Sequence, residues 1–386
     1  MSLEDSLSWL REQLPAMERD LAPLVEQNSF TDNAAGGAEV GRMLGTLFDV
    51  RGLTAGRVAS ASGRFAEHLV IRTAAEGAPI ALVGHLDTVF PPGAFEGYRR
   101  DGDLRRGPGV LDMKGGLVVV AYALKALAEG GLLDAIPLRV VIVSDEEVGS
   151  PEGQSVLRDA AASASAALVF EAGRAKDAII TRRKGTGGLT AVAHGKAAHA
   201  GNLHHEGVNA IWALAVFVAE AQRLTDYGEG RTVNVGKLVG GQGKNTVPDR
   251  AEALLDVRFT STADGERLIA RLGEAARAAE AAVPGARIEL TGGIARLPME
   301  RTEASAALLA SYGAAAAAEG LGAGESPLLG GGSDASTTAA MGIASIDGLG
   351  PRGKGFHTVD EQIEVGSLVP KASALARFLA ARAGAR

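Results

Sequence analysis

The chain has 386 residues, of which 46% are hydrophobic and 22% charged, with a net charge of −7 and no cysteine. At about 150 residues per domain, this length favours two domains. The missing cysteines exclude disulfides, thiolate catalysis and cysteine-type zinc sites, so any metal must be held by His, Asp and Glu. The acidic balance, with 4% aromatic residues and no block rich in Lys and Arg, disfavours nucleic-acid binding.

The N-terminal segment does not have the pattern of an export signal. Residues 3–24 mix Glu, Asp and Arg with Leu at helical spacing, without a positive start followed by an apolar block. We therefore expect a cytoplasmic protein, or a periplasmic one if a leader was removed. Because no stretch of about 20 apolar residues is free of charge, no membrane span is expected.

The first part of the chain predicts alternating strands and helices. We expect helices at 4–28, where Pro15 interrupts the pattern, at 36–52 and at 117–129, and strands at 68–72, 80–83, 138–144 and 167–171. Continuous apolar strands alternating with helices indicate a parallel or mixed sheet covered by helices. Ligands of such sheets bind beyond the carboxyl ends of the strands. The acidic and histidine residues at those ends are His85, Asp87, Asp145, Glu146, Glu147 and Glu171.

The pattern changes near residue 185. From there to 291 it predicts a strand, a helix, two strands, a helix and a strand, which is a self-contained α+β unit with few chemical groups. Helices at 303–319 and 366–383 then resume the first pattern. The sequence therefore predicts an α/β catalytic domain with a mixed sheet, formed by 1–184 and 292–386, that is interrupted by an inserted α+β domain at 185–291.

The triplet Asp145-Glu146-Glu147 ends an apolar strand, where three adjacent carboxylates repel one another. A bound cation would explain it, and a solvated acidic turn is the alternative. Neighbouring strand residues point to opposite faces, so Glu146 and Glu147 cannot share one role. One can bind a metal while the other handles protons.

Four further candidates lie at strand ends or in glycine-rich loops. His85 and Asp87 share a face and fit either a metal-binding His with an orienting carboxylate or a surface pair. Asp112, with glycines on both sides, is either a ligand or a helix cap. Glu171 and His357 are weak candidates when taken alone. The HExxH, GxSxG and Walker GK[ST] patterns are absent.

Together these segments resemble the co-catalytic zinc aminoacylase and carboxypeptidase family, which includes glutamate carboxypeptidase, acetylornithine deacetylase and succinyl-diaminopimelate desuccinylase. The resemblance extends from about residue 30 to the end. It rests on ordered motifs: GHLDTV (84–89), GPGVLDMKGG (107–116), SDEEVGS (144–150), FEAGR (170–174), RRKG (182–185), GKAAHAG (195–201), KNTVPDRAEALLDVR (244–258), GGGSDA (330–335) and GFHT (355–358).

The resemblance implies a site for two Zn²⁺ ions, for which Co²⁺ or Mn²⁺ can substitute. His85 and Glu171 would hold one ion, Glu147 and His357 the other, and Asp112 would bridge them. Asp87 would orient His85, and Glu146 would be the general base. The family also implies a cis peptide bond between Asp112 and Met113.

The resemblance further implies that the inserted domain is a dimerisation or lid domain, so we expect a homodimer. His199 would reach the active site of the partner subunit and stabilise the oxyanion of the reaction. Arg258 would grip a substrate carboxylate with the help of Asn245. Backbone amides near Gly331 and Gly332 would line the same pocket.

The leading hypothesis is a dinuclear zinc hydrolase that cleaves an amide bond next to a free carboxylate. Its substrate would be a small peptide or N-acyl amino acid, from which it would release glutamate or a similar residue. The motifs GGGSDA, FEAGR and RRKG are most similar to the glutamate carboxypeptidase branch, although FEAGR has Ala where that branch often has Pro. The alternatives are an N-acyl-amino-acid deacylase and a non-catalytic scaffold, and the scaffold is disfavoured because every expected ligand is present.

Overall fold

The computed structural model of the chain describes residues 3–382. These residues form two compact units. Unit 2 comprises Arg183–Glu300 and Gly330–Gly332, and unit 1 comprises the rest. The insertion expected at 185–291 lies inside the first segment of unit 2.

The helices of the described residues are α1 (Leu3–Arg11), α2 (Leu14–Glu26), α3 (Ala34–Leu47), α4 (Gly115–Glu129), α5 (Gly153–Ala161), α6 (Ala210–Gln222), α7 (Thr262–Ala282), α8 (Glu303–Ala318), α9 (Ala335–Ala340) and α10 (Leu368–Arg382). The strands are β1 (Leu53–Val58), β2 (His68–Thr73), β3 (Ile80–His85), β4 (Arg99–Asp101), β5 (Leu104–Arg106), β6 (Leu138–Val143), β7 (Ala166–Val169), β8 (Gly185–His194), β9 (Ala198–His199), β10 (Thr232–Gly240), β11 (Thr246–Val247), β12 (Arg250–Phe259), β13 (Arg287–Arg296), β14 (Ser345–Ile346), β15 (Gly353–Lys354) and β16 (Gln362–Glu364). Among these helices, none is both long and apolar enough to span a membrane.

The main sheet of unit 1 has the strand order β1-β2-β6-β3-β7-β14. Strand β3 runs parallel to both β6 and β7, whereas β2 pairs antiparallel with β1 and β6. The sheet is therefore mixed, which confirms the predicted fold class. Strands β3 and β7 are buried along their whole length, as expected for apolar strands covered on both faces.

Helix α4 lies at the centre of the helical layers of unit 1. Its sequence is apolar on all sides, and it packs against α1, α2, α10 and β3. The helix expected at 4–28 is interrupted near Pro15, as the sequence predicted, and forms α1 and α2. Proline has no N–H and restricts the residue before it, so Pro15 lies in the first turn of α2 and does not continue α1.

A second, small antiparallel sheet of unit 1 has the order β15-β16-β5-β4. Its strands are two or three residues long, too short to show a period of two in the sequence, and none of them was predicted. Strand β5 precedes the loop that contains Asp112, and β15 and β16 flank the loop that contains His357. This sheet therefore supports two of the candidate ligands.

Unit 2 has an antiparallel sheet with the order β10-β12-β8-β13, against which α6 and α7 pack. Strands β8 and β12 alternate between buried and more exposed residues, as in a sheet with one face covered by helices. Unit 2 has its own hydrophobic cluster, separate from that of unit 1. The predicted order of strands and helices is confirmed, with the short pair β9 and β11 as an addition.

Candidate active site

Three neighbouring strands bring most of the candidate residues of unit 1 to one edge of the main sheet. In the order β6-β3-β7, strand β3 ends at His85, β6 ends just before the acidic triplet, and β7 ends just before Phe170 and Glu171. Two backbone bonds extend the pairing to this edge, from Leu86 N to Val143 O and from Phe170 N to Val83 O. These residues therefore lie at one edge of the sheet, as expected, and ligand binding there stays a prediction.

The carboxylate of Asp112 lies between the two candidate histidine ligands. Its Oδ1 is 3.3 Å from His85 Nε2, and its Oδ2 is 3.3 Å from His357 Nε2. Each oxygen therefore faces a different histidine. The Asp112–Met113 peptide bond is cis, which confirms the expectation from the resemblance.

Each histidine has a carboxylate of its own. We call His85 and Glu171 the inner group, in which His85 Nε2 is 3.7 Å from Glu171 Oε1. His357 and Glu147 form the outer group, in which His357 Nε2 is 3.0 Å from Glu147 Oε2. Ligand atoms of Glu146 also lie within 4.8 Å of those of the inner group.

The distances and donor types fit divalent metal ions. A tetrahedral zinc ion with bonds of about 2.0 Å separates its ligand atoms by about 3.3 Å. The separations around Asp112 and within the two groups range from 3.0 to 3.7 Å. Imidazole nitrogens and carboxylate oxygens are suitable ligands for zinc. The five residues therefore fit a pair of such ions with Asp112 between them.

The electrostatics of the cluster also favour a cation. Burial raises the pKa of Glu147 to about 8 and that of Glu171 well above its usual value. Hydrogen bonds with Asp112 and Glu147 raise the pKa of His357 to about 10. Without a metal, protons on these groups offset the excess of buried carboxylates. A divalent ion would take the place of those protons, because metal ligands must be deprotonated.

Asp87 holds both His85 and the acidic triplet. His85 Nδ1 is 3.0 Å from the main-chain oxygen of Asp87 and 3.4 Å from its carboxylate, so the closer contact is with the main chain. The carboxylate accepts hydrogen bonds from the N–H groups of Glu146 and Glu147 and from Thr31 Oγ1, the last at 2.7 Å. Thr31 had no signal in the sequence, because an isolated threonine before a helix has no distinctive pattern.

The interpretation that one cation explains all three carboxylates of the triplet is wrong for Asp145. It is fully buried, and its carboxylate accepts hydrogen bonds from the N–H groups of Glu152 and Gly153 at the start of α5. Asp145 therefore stabilises a helix N-terminus. Only Glu146 and Glu147 reach the histidine cluster.

His357 has an unusual backbone conformation. Its φ is +62°, in the left-handed region that few residues with a Cβ adopt. The residue lies in a loop, and its side chain is 48% exposed, whereas that of His85 is 1% exposed. A strained residue is retained only where the surrounding structure requires it, and such positions cluster at functional sites.

The remaining candidates, His199, Asn245, Arg258, Gly331 and Gly332, all belong to unit 2. The Nδ1 atom of His199 accepts hydrogen bonds from two backbone N–H groups, so a neutral ring carries its proton on Nε2. Asn245 lies beside this loop, where its main-chain oxygen accepts a bond from Ala200 N. The antiparallel pair β9–β11 therefore holds His199 and Asn245 close together.

Arg258 forms a bidentate ion pair with Asp256, which lies two residues earlier on β12. Both contacts, from Nε and Nη2, are 2.8 Å long. Its Nη1 is 3.5 Å from the main-chain oxygen of Gly330, the first residue of the glycine run. Arg258 is therefore close to the segment that contains Gly331 and Gly332. Asp256 was not singled out from the sequence.

Comparison with known proteins identifies related sequences and folds. Residues 81–381 match the profile of peptidase family M20/M25/M40. The chain is 29% identical over 366 residues to carboxypeptidase G2 of Pseudomonas sp. strain RS-16, covering 93% of this chain and 87% of that protein. It is 29% identical over 354 residues to succinyl-diaminopimelate desuccinylase of Xanthomonas oryzae pv. oryzae, covering 82% and 89%. The crystal structure of a tripeptidase from Staphylococcus aureus superposes with a TM-score of 0.81 at 23% identity, covering 96% and 99%, and has the same fold.

Proposed function

Because the chain belongs to peptidase family M20/M25/M40 and is therefore a hydrolytic enzyme, we propose that it is a dinuclear zinc carboxypeptidase. It would cleave an amide bond next to a free carboxylate and release a C-terminal glutamate or a similar amino acid. The observation that carries the proposal is the carboxylate of Asp112, whose two oxygens face the histidines of two separate ligand groups.

The chemistry divides between the metal pair and the side chains. When bound, two zinc ions would polarise the scissile carbonyl and lower the pKa of the attacking water. His85 and Glu171 would hold one ion, His357 and Glu147 the other, and Asp112 both. The carboxylate of Glu146 would take the proton of the attacking water and deliver it to the leaving nitrogen. Asp87 supports that role, because it fixes the backbone N–H of Glu146.

Residues of unit 2 would recognise the substrate. Asp256 holds the guanidinium of Arg258 through Nε and Nη2, and a substrate carboxylate would bind at the remaining N–H groups or displace Asp256. Asn245 and the amides of Gly331 and Gly332 would make further contacts with the substrate. His199 is exposed, and its Nε2–H is a suitable donor to the oxyanion that forms during amide cleavage.

A second copy of the chain would complete the site if His199 acts on the partner subunit. Two features of unit 2 support such a homodimer. Strand β10 is an edge of its sheet and exposes Leu238 and Val239, each 46% accessible. On helix α6, Trp212 is 57% exposed and Ile211 is 37% exposed. An apolar edge strand beside apolar helix residues favours pairing with another chain.

A substrate panel tests the proposed reaction. The zinc-loaded chain would be incubated with glutamyl conjugates, dipeptides, and N-acetyl and N-succinyl amino acids, and the release of the free amino acid would be measured. We expect release from substrates with a free terminal carboxylate and none from the same compounds with that carboxylate amidated. Equal hydrolysis of both forms would exclude the proposed carboxylate recognition, and no hydrolysis by the loaded chain would exclude the function.

The second candidate is an N-acyl-amino-acid deacylase. It is favoured by the similarity to succinyl-diaminopimelate desuccinylase, which covers 82% of the chain. The same panel separates the two, because a deacylase would prefer the simple N-acyl amino acids over peptides with a C-terminal glutamate.

A further inference from the structure

Glu361 is a buried carboxylate to which the proposed reaction assigns no role. It is 0% exposed. Its Oε1 accepts hydrogen bonds from the N–H groups of Leu111 and Asp112, at 2.8 and 2.9 Å. Its Oε2 accepts another from Gly109 N at 3.0 Å. One side chain therefore satisfies three backbone donors of the loop that carries Asp112.

The same residue is tied to the loop of His357. Glu361 follows His357 by four positions, and its own N–H donates to Thr358 O. Its main-chain oxygen accepts a bond from Gly107 N, just before the Asp112 loop. Strand β16 begins at the next residue and pairs with β5, so the sheet fixes the position of the Glu361 backbone. Glu361 therefore connects two loops about 250 residues apart in sequence.

The three donors require a carboxylate at this position. A glutamine could accept two N–H bonds with its oxygen, but its NH₂ group would then face the third N–H, so one bond would be lost. A buried anion without partners is costly, and the three N–H groups offset part of that cost, although burial still raises the pKa of Glu361 to about 7.

We propose that Glu361 is a positioning residue of the metal centre. By holding the backbone from Gly109 to Asp112, it sets the rotation of the Asp112 carboxylate so that one oxygen faces His85 and the other faces His357. Loss of one of its bonds would let that carboxylate turn, which weakens the binding of both ions. The inference rests on the proposed metal role of Asp112.

The test compares Glu361→Gln with Asp360→Asn, which removes the same charge at the neighbouring exposed residue. In the metal-free full chain, hydrogen exchange of the amides of residues 109–112 is measured. We expect it to be at least about tenfold faster in Glu361→Gln, since a charge-assisted hydrogen bond is lost, and unchanged in Asp360→Asn. Competition with a zinc chelator should give an affinity about 10–100-fold lower for Glu361→Gln alone.

Kinetics give a further readout at saturating zinc. We expect kcat to fall in Glu361→Gln while KM stays within about twofold, because the proposed substrate contacts are on unit 2. A residue that only stabilised the fold would lower the melting temperature but leave the zinc affinity and kcat of the folded protein unchanged. That result, or wild-type exchange at 109–112, overturns the proposal.

If Glu361→Gln does not fold, Glu361→Asp is measured in its place, since it keeps the charge but is one methylene shorter. A folded Asp variant with weakened zinc binding supports the proposal, whereas wild-type zinc binding, or failure of both variants to fold, overturns it. If the wild-type chain binds no zinc, the proposed function fails, and the exchange measurement alone then supports or overturns the loop-holding role.

Discussion

The inner and outer groups use the same donors, one histidine and one glutamate each, but they are built differently. His85 ends a central strand and has a side chain that is 1% exposed, whereas His357 lies in a loop and is 48% exposed. Buried parallel strands fix the inner group, whereas the outer group combines a half-exposed loop histidine with Glu147, whose side chain is 5% exposed. From this difference we expect the inner group to hold a metal ion more tightly than the outer group.

Supporting contacts are shared between the two groups. Asp87 contacts the ring of His85 in the inner group, and its carboxylate accepts bonds from Thr31, from Glu146 N–H and from the N–H of Glu147 in the outer group. The outer loop is tied to the rest of the site through Glu361. Four experiments can break or sharpen this comparison.

The largest effect is expected from Glu146→Gln. Glu146 lies close enough to the inner group to be a ligand, yet the resemblance makes it the base. If it is the base, kcat falls by about 10²–10⁴-fold and two zinc ions per chain remain bound, measured by elemental analysis. Loss of the inner ion in this variant would make Glu146 a ligand, and a wild-type kcat would exclude both roles.

Next in size is the contrast between His85→Ala and His357→Ala. We expect His357→Ala to keep one zinc ion per chain and to lose the other, since only the exposed group is damaged. His85→Ala should lose the inner ion and should also destabilise the fold, because it leaves a cavity and unpaired carboxylates in the core. Zinc content and thermal melting check both variants. Equal zinc loss and equal melting temperatures would contradict the division into two groups.

The third effect, smaller than the two above, is the pH dependence of zinc affinity. Without metal, the pKa of Glu147 is raised to about 8 and that of His357 to about 10, so both carry protons at pH 7. Zinc must displace these protons, so the affinity of the outer position rises with pH, about tenfold per unit for each proton displaced, and levels off above about pH 10. Chelator competition between pH 6 and 8, below the onset of zinc hydroxide formation, measures this slope. An affinity independent of pH in that window would contradict the assigned ligands.

The smallest effect is expected from Thr31→Val. This variant removes one hydrogen bond to Asp87, worth about 1 kcal/mol, so the affinity of the inner position should fall about fivefold. The outer position should weaken as well, because the Asp87 oxygen that accepts the Thr31 hydroxyl also accepts the N–H of Glu147. Thr46→Val on α3, whose hydroxyl bonds to its own helix, is the matched control. Wild-type affinity at both positions would show that the bond from Thr31 does not support the metal site.

Much of this architecture could be predicted from the sequence, because apolar strands that end in His or acidic residues must place them at the edge of a parallel sheet. Adjacent acids could not be told apart, and Asp145 turned out to stabilise a helix N-terminus. Thr31 and Glu361 were missed because they act on partners far away in sequence, and a pattern search sees only local spacing. The roles of His199, Asn245 and Arg258 stay predictions, since no contact with a substrate is present to test them.

The left-handed backbone of His357 limits which replacements an engineer can use to retune the metal preference. Asn and Asp adopt a positive φ several-fold more readily than most residues, whereas β-branched side chains do so only at a large cost. An aspartate would therefore keep the loop conformation and offer a harder, oxygen-based donor suited to manganese. A library at this codon should be built around Asp and Asn, because these residues keep the positive φ at the lowest cost.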